Sequence, residues 1–183
     1  MLKPSACALA VMIAALACAS PCGAADGVFE REAAKARSER LDGLPPTAGF
    51  TRLHSLTGAW SVVSVYIQRP QSPRGRWVAR RVASDAEGPA WTDAASCPDL
   101  VTSLALLERL APQRLQILGL SPYAPPRAYT ADGAIQTVWS LDGAQPDGAP
   151  ISVEWSSNSG DLERWGAATE ARLARCWKPE PKR

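Results

Sequence analysis

Histidine is almost absent from this chain of 183 residues, in which His54 is the only one. Any Ser-His-Asp or Cys-His nucleophile, and any histidine-ligated metal, would have to use that side chain. No nucleophile elbow, metal-ligand spacing or nucleotide-binding loop accompanies it. The sequence therefore predicts no catalytic residue, no metal site and no cofactor, and it predicts a structural or solvent-facing role for His54.

The chain also lacks a large excess of charge of either sign. Lysine and arginine total 20 and aspartate and glutamate total 18, which gives a formal net charge of +2. Proteins that bind nucleic acid carry a strongly basic surface that displaces counterions from the phosphates. We therefore do not expect nucleic acid as a partner.

Long apolar runs are missing as well, and the apolar run near the N-terminus is short. Lys3 precedes the apolar segment Cys7 to Ala17, and the small residues Cys22-Gly23-Ala24-Ala25 follow it. These are the three parts of a secretory signal, and the run is too short to span a bilayer. We predict a signal peptide over residues 1–25 and a periplasmic or secreted location.

An alternative arises from the segment Ala15-Leu16-Ala17-Cys18. It resembles the lipobox of bacterial lipoproteins, with Ala15 at the position where a large aliphatic residue is usual. The resemblance implies acylation at Cys18, and acyl chains would hold the domain at a membrane surface. The alternative is therefore a lipid-anchored structural subunit, and only in that case would a membrane be a partner.

Cleavage after Ala25 would leave Cys97 and Cys176 as the only thiols of the mature chain. Two cysteines in an oxidising compartment allow one pairing. The bridge would close a long loop, for which the chain-entropy model gives about 4–5 kcal/mol of stabilisation. We predict a disulfide between these two residues.

Hydrophobic periodicity predicts two helices and a set of short strands. The helices span Cys97 to Ala111 and Leu162 to Cys176, each with one apolar face. Strands are expected over residues 59–68, 76–84, 114–120, 128–130, 135–141 and 151–156. Residues 59–68 are apolar on both faces, which is typical of a central strand. The predicted fold is α+β, with a mainly antiparallel sheet, two amphipathic helices packed on one face and one disulfide.

Composition divides the mature chain into three parts. Residues 26–52 are predicted to form a polar N-terminal arm that can be helical. Any helix there has a thin apolar face, so we expect the arm to be loosely docked. Residues 53–178 form a single α+β domain, in which residues 85–95 are expected to be a surface loop. Residues 179–183 form a charged tail.

A group of arginines around the first predicted hairpin is a candidate interaction patch. Its members lie within a few residues of one another, together with one tryptophan: Arg69, Arg74, Arg76, Arg80, Arg81 and Trp77. Such a patch could contact an acidic partner protein or an anionic envelope component. The structural alternative is a solvated hairpin whose charges protect an edge strand.

Tryptophans and acids supply two further hypotheses. Seven tryptophans are many for one domain, and exposed ones can stack on sugars; Trp77 and Trp91 are the expected exposed pair. A carboxylate pair could support glycosidase chemistry. The candidate acids are Asp85, Glu87, Asp93, Glu154, Asp161 and Glu163.

Taken together, these features predict an exported bacterial envelope protein that binds a protein or an envelope component without catalysing a reaction. The alternatives are an exported hydrolase that uses a carboxylate pair and the subunit acylated at Cys18. The sequence names no partner and does not decide whether the protein is an enzyme.

Overall fold

A computed structural model describes residues 22–68, 76–110, 133–144 and 150–179 of the chain. Within these residues the helices are α1 (Cys22–Ser38), α2 (Pro98–Glu108) and α3 (Gly160–Leu173). The strands are β1 (Ala48–His54), β2 (Trp60–Gln68), β3 (Arg76–Ala83), β4 (Ala90–Asp93), β5 (Ala134–Ala144), β6 (Pro150–Ser157) and β7 (Lys178–Pro179).

The described strands form one sheet in the order β6-β5-β1-β2-β3-β4-β7, and every neighbouring pair is antiparallel. Helices α2 and α3 pack against each other and on one face of this sheet, whereas α1 packs on the opposite face. The predicted α+β class, the antiparallel sheet and the two helices on one face are confirmed. None of the described helices has both the length and the hydropathy that a membrane crossing requires.

Strand β2 lies at the centre of the sheet because both of its faces are apolar. Val63 and Val65 point into the core beneath α2 and α3, while Trp60 and Val62 point into a second core beneath α1. All four are buried. The prediction of a central strand covered on both sides is therefore confirmed.

The two predicted helices are joined where one begins and the other ends. The Cys97–Cys176 disulfide links the residue before α2 to the turn after α3, with a Cα–Cα distance of 5.7 Å. Between the helices, the indole N–H of Trp165 donates a hydrogen bond of 2.9 Å to the carbonyl of Ser103. The disulfide thus closes a helix pair that also packs through its own side chains.

The segment predicted as a polar arm contains two elements of the fold. Helix α1 packs its Phe29 and Ala36 against the sheet, and the boundary predicted at residue 52 falls inside β1. Strand β1 was not predicted from the sequence, because it contains a glycine and an arginine, which do not indicate a strand. Here Gly49 lies beneath the Trp139 indole and Arg52 is paired with acids of α3.

The segment read as a surface loop over residues 85–95 contains β4, which pairs with β3 and with β7. This strand has only four residues, and its buried Thr92 and half-buried Trp91 do not form the alternating apolar pattern by which a strand is predicted from sequence. The hairpin loop at residues 69–75 and the strands expected over residues 114–120 and 128–130 lie outside the described residues. So do residues 1–21, which hold most of the predicted signal, and most of the charged tail.

Gly49 is a position at which a side chain should be costly. A Cβ there would collide with the Trp139 indole and with the carbonyl oxygen of Val63. We expect Gly49→Ala to lower the free energy of unfolding by about 1–3 kcal/mol, the range of overpacked cores. Urea unfolding of the purified protein measures it. Gly88→Ala is the matched control, because nothing lies within 4 Å of its Cβ position, and it should leave stability within about 0.5 kcal/mol.

Candidate functional site

A cavity of about 450 Å³ lies between the C-terminal half of α3 and strands β1 to β3. We call it the α3 cavity. Its polar lining residues are His54, Ser61, Arg81, Ser84, Asp85 and Glu170, and its principal apolar ones are Phe50, Trp60, Val63, Leu173 and Trp177. This volume falls within the range of about 300–1,000 Å³ that is usual for small-molecule sites, and a mixed lining is typical of them.

Arg52 forms the polar layer beside the cavity. Its side chain, only 7 % exposed, extends from β1 to α3. One guanidinium nitrogen lies 2.8 Å from a carboxylate oxygen of Glu163, and Nε lies 3.2 Å from a carboxylate oxygen of Glu170. These two glutamates are seven residues apart, which places them on one face of the helix. A buried cation is stable only when it is paired in this way.

Ser61, Glu170 and His54 come together at one wall of the α3 cavity. The Ser61 hydroxyl donates a hydrogen bond of 2.6 Å to Oε1 of Glu170, and the imidazole Nε2 of His54 lies 4.0 Å from Oε2 of the same carboxylate. His54 Nε2 also accepts a hydrogen bond of 3.3 Å from Arg52 Nε. In a catalytic triad the histidine stands between the hydroxyl and the acid. Here the acid stands between them, so the hydroxyl has no histidine base.

The lining of the α3 cavity also includes an ion pair and a tryptophan. Arg81 on β3 lies 2.9 Å from a carboxylate oxygen of Asp85, whose side chain is 70 % exposed. Trp177 follows the disulfide residue Cys176 directly, and β7 then begins at Lys178. Trp177 is therefore held in place by a covalent bond on one side and by strand pairing on the other.

The predicted arginine patch is divided between the two faces of the sheet. Arg80 lies on the α1 side, 2.9 Å from Glu39 and only 8 % exposed, whereas Arg81 lies in the α3 cavity. Arg76 contacts Asp93. Arg69 and Arg74 lie outside the described residues. The three described arginines are each paired with a carboxylate and do not form one common positive surface.

The two tryptophans expected to be exposed are both half-buried. Trp77 packs against the core beneath α2, and Trp91 stacks on Tyr66 with ring centroids 6.4 Å apart. Burial raises the pKa of Tyr66, so its phenol stays protonated and donates to the Glu39 carbonyl. Trp177, which sequence reasoning did not select, is a further half-buried aromatic residue that lines the α3 cavity.

Most of the candidate acids are engaged in ion pairs. Asp85, Asp93, Glu154, Asp161 and Glu163 contact arginines, and Glu87 is exposed on the turn after β3. Asp85 lines the α3 cavity together with Glu170, an acid that sequence reasoning missed. The available signal was its spacing of seven residues from Glu163 on the same helix.

One group of potential metal ligands occurs in the described part of the chain. Side-chain ligand atoms of Cys97, Asp99 and Cys176 lie within 4.8 Å of one another. The two sulfurs are bonded to each other, so they are not available as thiolates. The arrangement is consistent with a structural disulfide beside a surface acid.

The chain was compared with protein-family models, with curated proteins and with solved structures, and none of the three comparisons found a match.

Arg52→Ala should destabilise the fold, because it removes the cation that holds Glu163 and Glu170 to the sheet. Removing one member of a buried ion pair costs about 3–5 kcal/mol, and the partial exposure of both glutamates places the expected loss at about 2–4 kcal/mol. Arg164→Ala is the control on α3, because its pair with Asp161 is largely exposed and worth less than about 1 kcal/mol. If urea unfolding showed equal losses of stability for the two variants, Arg52 would not be the residue that holds α3 to the sheet.

Asp93 gives a prediction for the dependence of stability on pH. Burial would raise the pKa of its carboxyl, but hydrogen bonds from Arg76 and from the backbone N–H groups of Ser96 and Ala95 together lower it below 3.8. A lowered pKa stabilises the fold above the unfolded value, and this contribution is lost as the pH falls through the folded value. Asp93→Asn should thus be destabilising at pH 7, with a difference from wild type that shrinks below about pH 4. Unfolding titrations from pH 7 to pH 3 measure it, and a constant difference would contradict it.

Proposed function

We propose that this chain is an exported envelope domain that binds a small envelope component in the α3 cavity and does not catalyse a reaction. The observation that carries the proposal is a cavity of ligand-sized volume with an aromatic wall and several convergent polar groups. The predicted secretory signal and the disulfide both agree with export.

The bonding of the polar groups favours binding over catalysis. Glu170 accepts from Ser61 and contacts Arg52, and Asp85 contacts Arg81. These side chains are held in fixed positions by their partners, which suits recognition of a ligand. The Ser61 hydroxyl donates to one oxygen of Glu170 while the other oxygen contacts Arg52, so the carboxylate joins Ser61 to the buried arginine.

An exported hydrolase is the second candidate, and one observation favours it. Asp85 and Glu170 line the same cavity, as the two acids of a glycosidase would. In such an enzyme one carboxyl protonates the leaving group while the other acts as base or nucleophile. Each of these two carboxylates contacts an arginine instead, so we rank binding first.

Two measurements on the protein from an exporting bacterial host test the proposal. The intact mass should begin at Asp26, with alkylation of cysteines only after reduction. A mass that begins at Cys18 with added acyl chains would move the assignment to the lipid-anchored alternative. Native mass spectrometry with a small-molecule extract of the envelope should then show a bound adduct.

A variant that fills the α3 cavity connects that adduct to the site. Ala171 lines the cavity and is exposed, so Ala171→Trp should abolish the adduct without disturbing the core. Ala167→Trp is the matched control, because Ala167 is exposed on the same helix but does not line the cavity. An adduct that survives both substitutions would refute the α3 cavity as the site. A cleaved product in place of the adduct, lost in Glu170→Gln, would establish the hydrolase.

A further inference from the structure

We infer that the ligand of the α3 cavity is a neutral saccharide of one or two rings, with Trp177 as its stacking surface. This inference rests on the proposed function, because it names the chemical class of the ligand for the same site. Three observations support it: the balance of charge in the lining, the position of the aromatic ring, and the hydrogen-bonding groups that surround it.

The lining is nearly balanced in charge, and each acid is neutralised locally. Arg81 contributes one positive charge, and Asp85 and Glu170 contribute two negative ones, a net −1. Arg81 contacts the first acid, and the buried Arg52 contacts the second. A carboxylate or phosphate ligand would face two acids, while an ammonium ligand would find both acids already paired with guanidinium groups. The lining therefore favours a neutral ligand.

Trp177 supplies an apolar surface at the edge of this polar lining. An aromatic face attracts groups with a partial positive charge, and the C–H face of a sugar ring presents such groups. Tryptophan also presents a large contact area with few torsions to immobilise. Its position is set by the neighbouring disulfide and by β7, so little ordering is required when a ligand binds.

The remaining lining groups match the hydroxyls of a sugar. Hydroxyls both donate and accept, and the cavity offers two carboxylates and a guanidinium. Asp85 uses one oxygen for Arg81 and is largely exposed, which leaves acceptor positions free to receive ligand hydroxyls. A purely apolar ligand would remove water from these polar groups without offering hydrogen bonds in return, at a cost in free energy.

Titration calorimetry with glucose, N-acetylglucosamine and their disaccharides tests the inference. At least one of these neutral sugars should bind, and Trp177→Ala should weaken it by about fivefold or more. Trp155→Ala is the matched control, because Trp155 lies on β6 and does not line the α3 cavity. Trp177→Phe keeps an aromatic ring and should bind with intermediate affinity, which separates loss of stacking from loss of folding.

Charged sugars test the neutral class. Glucuronate should bind more weakly than glucose, and Asp85→Asn should reduce this discrimination while Asp161→Asn, an exposed control, should not. Tighter binding of glucosamine than of N-acetylglucosamine would overturn the neutral class. Sugar binding that is unchanged in Trp177→Ala and in Ala171→Trp would place the site elsewhere and overturn the inference.

The test also distinguishes the inference from the proposed function. If no saccharide binds, but the envelope adduct forms and is lost in Ala171→Trp, the ligand class is wrong and the proposed function stands. If neither saccharide nor adduct binds, both are wrong.

Discussion

The α3 cavity depends on one buried guanidinium. Arg52 leaves β1 at a position where an apolar residue would be expected, and it reaches two glutamates that are two turns apart on α3. The two contacts fix both the height of the helix above the sheet and its rotation about its own axis. Ser61 and His54 are then arranged around the same Glu170 carboxylate. The polar wall is therefore a consequence of how the helix is attached.

A buried arginine paired with an acid also lies on the opposite face of the sheet. Arg80 is nearly buried between α1 and the sheet, where it pairs with Glu39 and lies over the Trp91 ring, with the guanidinium carbon 5.9 Å from the ring centroid. A polar helix with a thin apolar face can dock firmly when a buried ion pair and hydrogen bonds supplement its packing. The Ser64 hydroxyl donates one such bond, of 3.0 Å, to the carbonyl of Ala36. Among the described residues, each face of the sheet thus has one buried arginine: Arg52 pairs with two acids of α3, and Arg80 pairs with Glu39, the residue directly after α1.

The elements that could be predicted from sequence are those whose pattern is local. Strand β2 is apolar on both faces, α2 and α3 carry an apolar stripe, and two cysteines allow one disulfide. Strand β1 could not be predicted, because Gly49 and Arg52 fit a strand only once Trp139 and the α3 acids are beside them. The arginine patch shows the same limit, since Arg80 and Arg81 lie on opposite faces of the sheet and Arg80 finds its partner Glu39 in a distant segment. Trp177 was missed for a related reason. It lines a cavity only because residues of distant strands lie near it, and its own sequence neighbours do not show this.

The disulfide, which needs an oxidising compartment to persist, holds one side of the α3 cavity in place. Cys176 is the residue before Trp177, so the bond to Cys97 places one end of the aromatic wall while β7 places the other. Because β7 contributes only two residues, pairing alone would hold this segment weakly. In a reducing compartment the wall would lose its covalent attachment, and ordering it would add to the free-energy cost of binding. An oxidising environment would therefore keep this side of the α3 cavity in place, as the proposed export and the proposed ligand binding both require.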